Sequence, residues 1–276
     1  MNYYNLIKKI EKLFENEGID DFADIDWIAV EILGKSRSML PFVTEISVED
    51  EDKIMKAVEL RLKHIPIAYI FGKTNFFGYD FVVDNNVLIP RIDTEVLIER
   101  VIRDIKAENR PISVLDIGTG SGAIAVTLQK ETGVKVYAVD ISKKALEIAK
   151  QNAKNNNADV EFFESNLFEN ISNLMVDFIV SNPPYIETET VKGLDREVVE
   201  NEPILALDGG EDGLDFYRKI ATDAKKHLNA NGRIYFEIGY NQGDAVSKLL
   251  GEDFDEIEVL KDYSGNDRVV LGKLRG

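Results

Sequence analysis

The chain of 276 residues has no cysteine, and its 33 Lys and Arg face 50 Asp and Glu for a formal charge of −17. A disulfide framework, a thiolate metal site and a cysteine nucleophile are thereby excluded, while 44% hydrophobic residues suffice for a packed core in one large or two modest domains. A strongly acidic surface repels a phosphate backbone, which counts against nucleic acid as a partner. No uncharged stretch nears the roughly 20 residues of a membrane span, so the expectation is a soluble, cytoplasmic protein without membrane contact.

From residue 3 to about 64 apolar side chains recur at helical spacing in three stripes: Leu6, Ile7, Ile10, Leu13 and Phe14; Phe22, Ile25, Ile28, Ala29 and Ile32; Ile54, Val58 and Leu62. Gly18 and Gly34 follow the first two stripes, and Ser47 with Asp50 offers a capping box for the third. A small helical domain over residues 1–73 follows. It carries ten basic and fourteen acidic side chains, a balance of −4, which leaves −13 for the rest. Its one basic run, Lys53, Lys56, Arg61 and Lys63, reads as the solvated face of a helix.

Residues 74–90 change character. Phe76, Phe77, Tyr79, Phe81, Val82 and Val83 crowd around Gly78, and Asp84-Asn85-Asn86 precede Val87-Leu88-Ile89, which predicts a β-hairpin with a polar turn that joins two domains. A helix follows on Val96, Leu97, Val101, Ile102 and Ile105. After residue 111 apolar runs alternate with amphipathic helices at 112–115, 134–139, 160–163 and 177–180, and then at 233–238, 256–259 and 268–272 with one helix near 242–250 among the last three. The expected fold is α/β: a seven-stranded, mostly parallel, doubly wound sheet over residues 91–276, closed by an antiparallel hairpin.

Two loops carry the chemistry. Asp116-Ile117-Gly118-Thr119-Gly120-Ser121-Gly122 lies where the first strand turns into a helix, a place where glycines admit close ligand approach and a helix end offers amides. Its Gly-x-Gly-x-Gly spacing differs from the Gly-x-Gly-x-x-Gly of dinucleotide sites. Asp140 ends the next strand, 22 positions beyond Gly118, where a carboxylate can accept from a ribose diol. The fourth strand delivers Asn182-Pro183-Pro184-Tyr185 to the same sheet edge. Prolines lack amide donors, so this rigid loop offers the Asn182 and Pro183 carbonyl oxygens as acceptors, plus the ring and hydroxyl of Tyr185. Such a set suits a planar, poorly nucleophilic NH₂ group held against a sulfonium methyl, with no metal and no covalent intermediate. His64, His227 and Glu237 read as structural, Glu237 as a satisfied polar group at the cleft edge.

The runs Val114 to Gly122, Ala138-Val139-Asp140 and Ser181 to Ile186 resemble the motifs of class I S-adenosylmethionine-dependent methyltransferases that act on planar nitrogen. Pro66 to Gly72, Leu88-Ile89-Pro90-Arg91 with Asp93-Thr94-Glu95, and Asp262 to Arg268 further resemble the release factor glutamine N5-methyltransferases of the PrmC or HemK type, over about residues 5–272. The resemblance implies methylation of the amide of the glutamine in the Gly-Gly-Gln motif of class I peptide-chain release factors by a monomer, with the helical domain recognising the protein. It implies that Gly118, Thr119, Gly120, Ser121, Gly122, Asp140, Asn166, Leu167 and Asn182 meet S-adenosylmethionine. Asn182, Pro183, Pro184 and Tyr185 would meet the glutamine, with Asn182, Pro183 and Tyr185 catalytic. Asn166-Leu167 stands where the family commonly has an acid and an aromatic, and Ile92 where it usually has proline. A glutamine methyltransferase for a ribosomal protein shares this chemistry, and an adenine-N6 nucleic-acid methyltransferase shares the Asn-Pro-Pro-Tyr loop but ordinarily needs a basic face.

Overall fold

A computed structural model describes residues 2–276, which divide into two compact units: residues 2–72 with 195–201, and residues 73–194 with 202–276. The first is helical, with α1 (Tyr3–Glu17), α2 (Ala23–Leu33), α3 (Val48–Arg61) and α4 (Ile67–Phe71). The caps read from the sequence form as the backbone requires. Gly18 and Gly34 close α1 and α2 at φ of 72° and 62°, a region that costs other residues energy, and the Ser47 hydroxyl accepts from the Asp50 amide at 3.0 Å. The stripes meet in one core built on Leu6, Ile10, Phe14, Ile28, Ile54 and Val58.

The basic run on α3 is not a patch. Lys53 pairs with Glu49, and Arg61 is only 5% exposed, its guanidinium 2.5 Å from Asp24 and 2.7 Å from Glu197. Glu197 arrives on the short segment 195–201, which no local pattern assigns to this unit. Burial pushes the Asp24 carboxyl up against the opposing pull of Arg61. Asp24→Ala leaves a buried cation short of a partner and is expected to destabilise this unit by about 3 kcal/mol. Urea unfolding followed by circular dichroism measures it, and an unchanged midpoint would contradict the assignment.

The second unit starts with a two-stranded hairpin, β1 (Lys73–Phe76) and β2 (Tyr79–Val82). Its turn is Phe77-Gly78, both at positive φ (52° and 80°), the type I′ geometry that matches strand twist. Asp84-Asn85-Asn86 is therefore not the hairpin turn. The Asp84 carboxylate instead accepts from the Asn86 amide at 2.8 Å, and Val87–Ile89 forms no strand. The hairpin packs into the second unit: Phe76 and Phe81 join its core, and Asn152 binds both the amide and the carbonyl of Val82.

The remaining elements are α5 (Thr94–Ala107), β3 (Ser113–Ile117), α6 (Ala123–Thr132), β4 (Lys135–Asp140), α7 (Lys143–Asn155), β5 (Val160–Glu164), β6 (Val176–Ser181), α8 (Thr188–Val191), α9 (Arg196–Asn201, in the first unit), α10 (Asp215–Ala224), β7 (Leu228–Glu237), α11 (Gly243–Leu250), β8 (Phe254–Lys261) and β9 (Asp267–Leu274). They form a seven-stranded sheet in the order β5-β4-β3-β6-β7-β9-β8, parallel except for β9, which runs antiparallel to both neighbours. Strand residues alternate between two apolar layers. Val114, Phe178 and Tyr235 pack with α5 and α6, while Leu115, Ile179 and Phe236 pack with α10 and α11. From β3 the chain winds one way to β4 and β5, and from β6 the other way to β7. The carboxyl ends of β3 and β6 thus flank the switch point where open α/β sheets bind ligands.

Candidate active site

Ile117, the last residue of β3, pairs with Ser181, the last of β6, and the Ser181 hydroxyl donates to the Ile117 carbonyl at 2.7 Å. That pairing sets the glycine loop and Asn182 side by side at the mouth of a cleft of about 280 Å³. Gly118, Thr119, Gly120, Ser121, Asp140, Asn166, Leu167, Asn182, Pro183 and Pro184 all line it. Gly122 and Tyr185 do not.

Gly118, Gly120 and Gly122 all have positive φ (73°, 54° and 81°), for two different reasons. A Cβ on Gly118 or Gly120 would meet nothing within 4 Å, since these residues border open space, whereas one on Gly122 would come within 3.1 Å of the Ala149 Cβ. The first two glycines hold a surface open for a ligand, and the third lets α6 and α7 approach.

Four of the loop's amides are spent inside the protein. Those of Gly118 and Thr119 donate to the Val139 carbonyl (2.9 and 3.0 Å), that of Gly120 to Asp140 Oδ2 (2.8 Å) and that of Gly122 to the Thr119 carbonyl (2.8 Å). A phosphate-binding loop keeps such donors free. This one fits a nucleoside without phosphate lying against open glycine backbone, as S-adenosylmethionine requires. Asp140 also accepts from the Ser142 amide through Oδ1 at 2.8 Å, and its carboxylate retains lone-pair capacity for a ligand hydroxyl. Burial pushes the Asp140 carboxyl up, opposed by the backbone amides of Ser142, Gly120 and Ile141. Asp116, under the loop, is fully buried, accepts from the Thr119 hydroxyl at 2.6 Å and is pushed up to about 7 by burial.

Leu167 takes φ of 52° and packs on the core beside the cleft, and the exposed Asn166 donates to Glu169 at 2.8 Å. Pro183 is buried and Pro184 half-buried. The Tyr185 ring packs toward the core that includes Ile238 and Tyr217, where burial, then Glu237, push its hydroxyl up to about 12. Gln242 clamps this loop, donating to the Tyr185 carbonyl at 2.9 Å and accepting from the Gly239 amide at 2.9 Å.

Three further residues complete the site. Thr94, only 4% exposed, lines the cleft and accepts from Asn182 Nδ2 at 3.3 Å. Glu237, at the end of β7, is 1% exposed and lies beside Thr94 and Asn182, whose polar groups favour its ionised form. Its Oε2 has no hydrogen-bond partner among the described residues, so it is not the satisfied polar group expected from the sequence. Arg91 lines the cleft and pairs with the buried Glu202. His227 is structural as expected, stacked on Phe168 with Nδ1 2.9 Å from the Leu174 carbonyl. A charge inside an apolar strand was the available signal for Glu237, but its partners lie 143 and 55 positions away.

A parallel sheet with a reversed last strand, a glycine loop open to the cleft and Asn-Pro-Pro-Tyr at the switch point define a class I S-adenosylmethionine-dependent methyltransferase. Its fold resembles a methyltransferase from Pyrococcus furiosus (TM-score 0.54, 22% identity, covering 73% of this chain and 91% of that one). Residues 5–72 match the PrmC N-terminal domain and residues 91–202 the methyltransferase small domain. Proteins named release factor glutamine methyltransferase from Fusobacterium nucleatum, Enterococcus faecalis and Bacillus anthracis are 39%, 34% and 37% identical, over 96%, 98% and 99% of this chain and 77%, 99% and 100% of theirs. The chain belongs to the release factor glutamine methyltransferase family.

Proposed function

We propose that this chain transfers a methyl group from S-adenosylmethionine to the side-chain amide nitrogen of the glutamine in the Gly-Gly-Gln motif of class I release factors. The observation that carries this reading is the likeness to release factor glutamine methyltransferases through both units, including the helical N-terminal one that a bare methyltransferase core lacks. S-adenosylmethionine supplies a methyl on a sulfonium sulfur that leaves as a neutral thioether.

The rest is the work of the chain's own residues. Gly118 and Gly120 form the open floor for the cofactor, with Thr119, Ser121 and Gly122 holding the loop in shape. Asp140 faces the ribose, and Asn166 and Leu167 border the adenine. Asn182 Oδ1 and the Pro183 carbonyl accept the two N–H bonds of the glutamine amide, so the nitrogen presents its out-of-plane lobe to the methyl. Pro184 and the packed Tyr185 keep that loop rigid. No general base is needed to start the reaction, because orientation and polar contacts do the activating, and as the N–CH₃ bond forms and the S–CH₃ bond breaks the nitrogen sheds one of its two protons to solvent. Residues 1–73 recognise the protein substrate, residues 74–90 link it to the methyltransferase domain over 91–276, and the enzyme acts as a cytoplasmic monomer on protein rather than nucleic acid.

The test is mass mapping of a class I release factor after incubation with this protein and S-adenosylmethionine. One added methyl on the Gly-Gly-Gln glutamine is expected. Label appearing on a ribosomal protein or on DNA, with the release factor unmodified, would overturn the assignment.

A further inference from the structure

The proposed reaction needs an acceptor at Asn182, yet an asparagine amide has an acceptor end and a donor end of nearly the same shape. Pro183 has no amide hydrogen with which to select between them. The selecting groups are behind the loop. We infer that Glu237, acting through the Thr94 hydroxyl, is a positioning residue that forces Asn182 to turn its NH₂ inward and its Oδ1 into the cleft; this rests on the reading of the site given above.

The argument is one of hydrogen counting. An ionised carboxylate only accepts, so the Glu237 carboxylate beside Thr94 draws the single hydrogen of its hydroxyl. Thr94 Oγ1 is then left as an acceptor, and the Asn182 group that faces it at 3.3 Å must be the donor, Nδ2. The same carboxylate lies close to Asn182 and its Oε2 lacks a donor, so its free lone pairs favour the NH₂ end. Oδ1 is what remains for substrate.

Protonation reverses the chain. A neutral Glu237 donates to Thr94, Thr94 donates to Asn182 Oδ1, and the amide turns its NH₂ toward the substrate's own N–H bonds. The charged and titratable groups facing Glu237 are Arg268 from β9, Asp93 just before α5, Tyr185 after β6 and Tyr217 from α10. Arg268 favours the ionised form and Asp93 opposes it, but burial dominates and raises the carboxyl to about 7. A raised value means that the proton is held below about pH 7 and lost above it, so the productive orientation grows with rising pH.

The experiment compares Thr94→Val, Thr94→Ser and Glu237→Gln with the parent protein. Thr94→Val is expected to lower kcat about tenfold, the worth of one well-placed hydrogen bond, with little change in either KM. Thr94→Ser keeps the hydroxyl and should restore most of kcat. The parent kcat should rise through the neutral range, and Glu237→Gln should lose that limb. Independently of turnover, the Asn182 side-chain NH₂ signals in a ¹⁵N–¹H spectrum of the free protein should titrate near pH 7 and stop titrating in Glu237→Gln. An Asn182 amide that does not titrate, or a Thr94→Val enzyme with parental kcat and pH profile, overturns the inference. A parent that never methylates a release factor overturns the proposed function instead, and the spectral titration still decides the network.

Discussion

Asn182→Ala is expected to cut methyl transfer to a release factor by about a hundred- to a thousandfold while leaving cofactor affinity within a few fold. Losing one preorganised polar contact at a reacting group has that scale, because the contact is made where charge develops and costs no reorganisation there. Asn182 follows β6 directly, its backbone placed by the Ser181 to Ile117 bond, and it lines the cleft just ahead of Pro183 and Pro184. Removal leaves the glycine loop and Asp140 untouched, so the defect belongs in kcat. Single-turnover methylation with saturating cofactor, beside calorimetric titration with S-adenosylhomocysteine, separates the two quantities. Near-parental turnover in this variant would remove the central residue of the proposed mechanism.

Asp140→Ala is expected to produce the opposite pattern, weakening cofactor binding by roughly ten- to a hundredfold and sparing kcat at saturation. The carboxylate does two jobs. It would accept from the ribose hydroxyls, and it already holds the Gly120 and Ser142 amides at 2.8 Å, tying the glycine loop to the start of α7. Deleting it strands two donors beside the cleft as well as removing the ligand contact, so the loss should exceed that of one hydrogen bond. Asp140→Asn should be intermediate, since its NH₂ end cannot accept from either amide. The same calorimetric titration gives the answer, and an unchanged dissociation constant for Asp140→Ala would show that the ribose lies elsewhere.

Much of this was visible before any coordinates. Helical stripes, the Ser47 cap, the glycine ends of α1 and α2, the strand-helix alternation and the final antiparallel hairpin all follow from periodicity and from residues with narrow backbone preferences. So does the meeting of the glycine loop with Asn-Pro-Pro-Tyr, because both follow strands of one parallel sheet and parallel strands deliver their ends to one edge. A local reading puts the hairpin turn at 84–86, where three polar residues outweigh the single Gly78, whereas positive φ at Phe77 and Gly78 governs the turn.

Composition and local pattern thus determined a cysteine-free α/β methyltransferase fold, its glycine loop and its acceptor loop. Tertiary structure alone decided that four of the loop's amides are spent, that Arg61 is buried with Asp24 and Glu197, that Tyr185 faces the core, and that the buried Glu237 lies beside both Asn182 and Thr94. The physical reason is range. Turns, caps and periods depend on neighbours a few residues away, whereas burial and the choice of hydrogen-bond partner depend on strand order, which here places β7 beside β6 and the start of α5 against both.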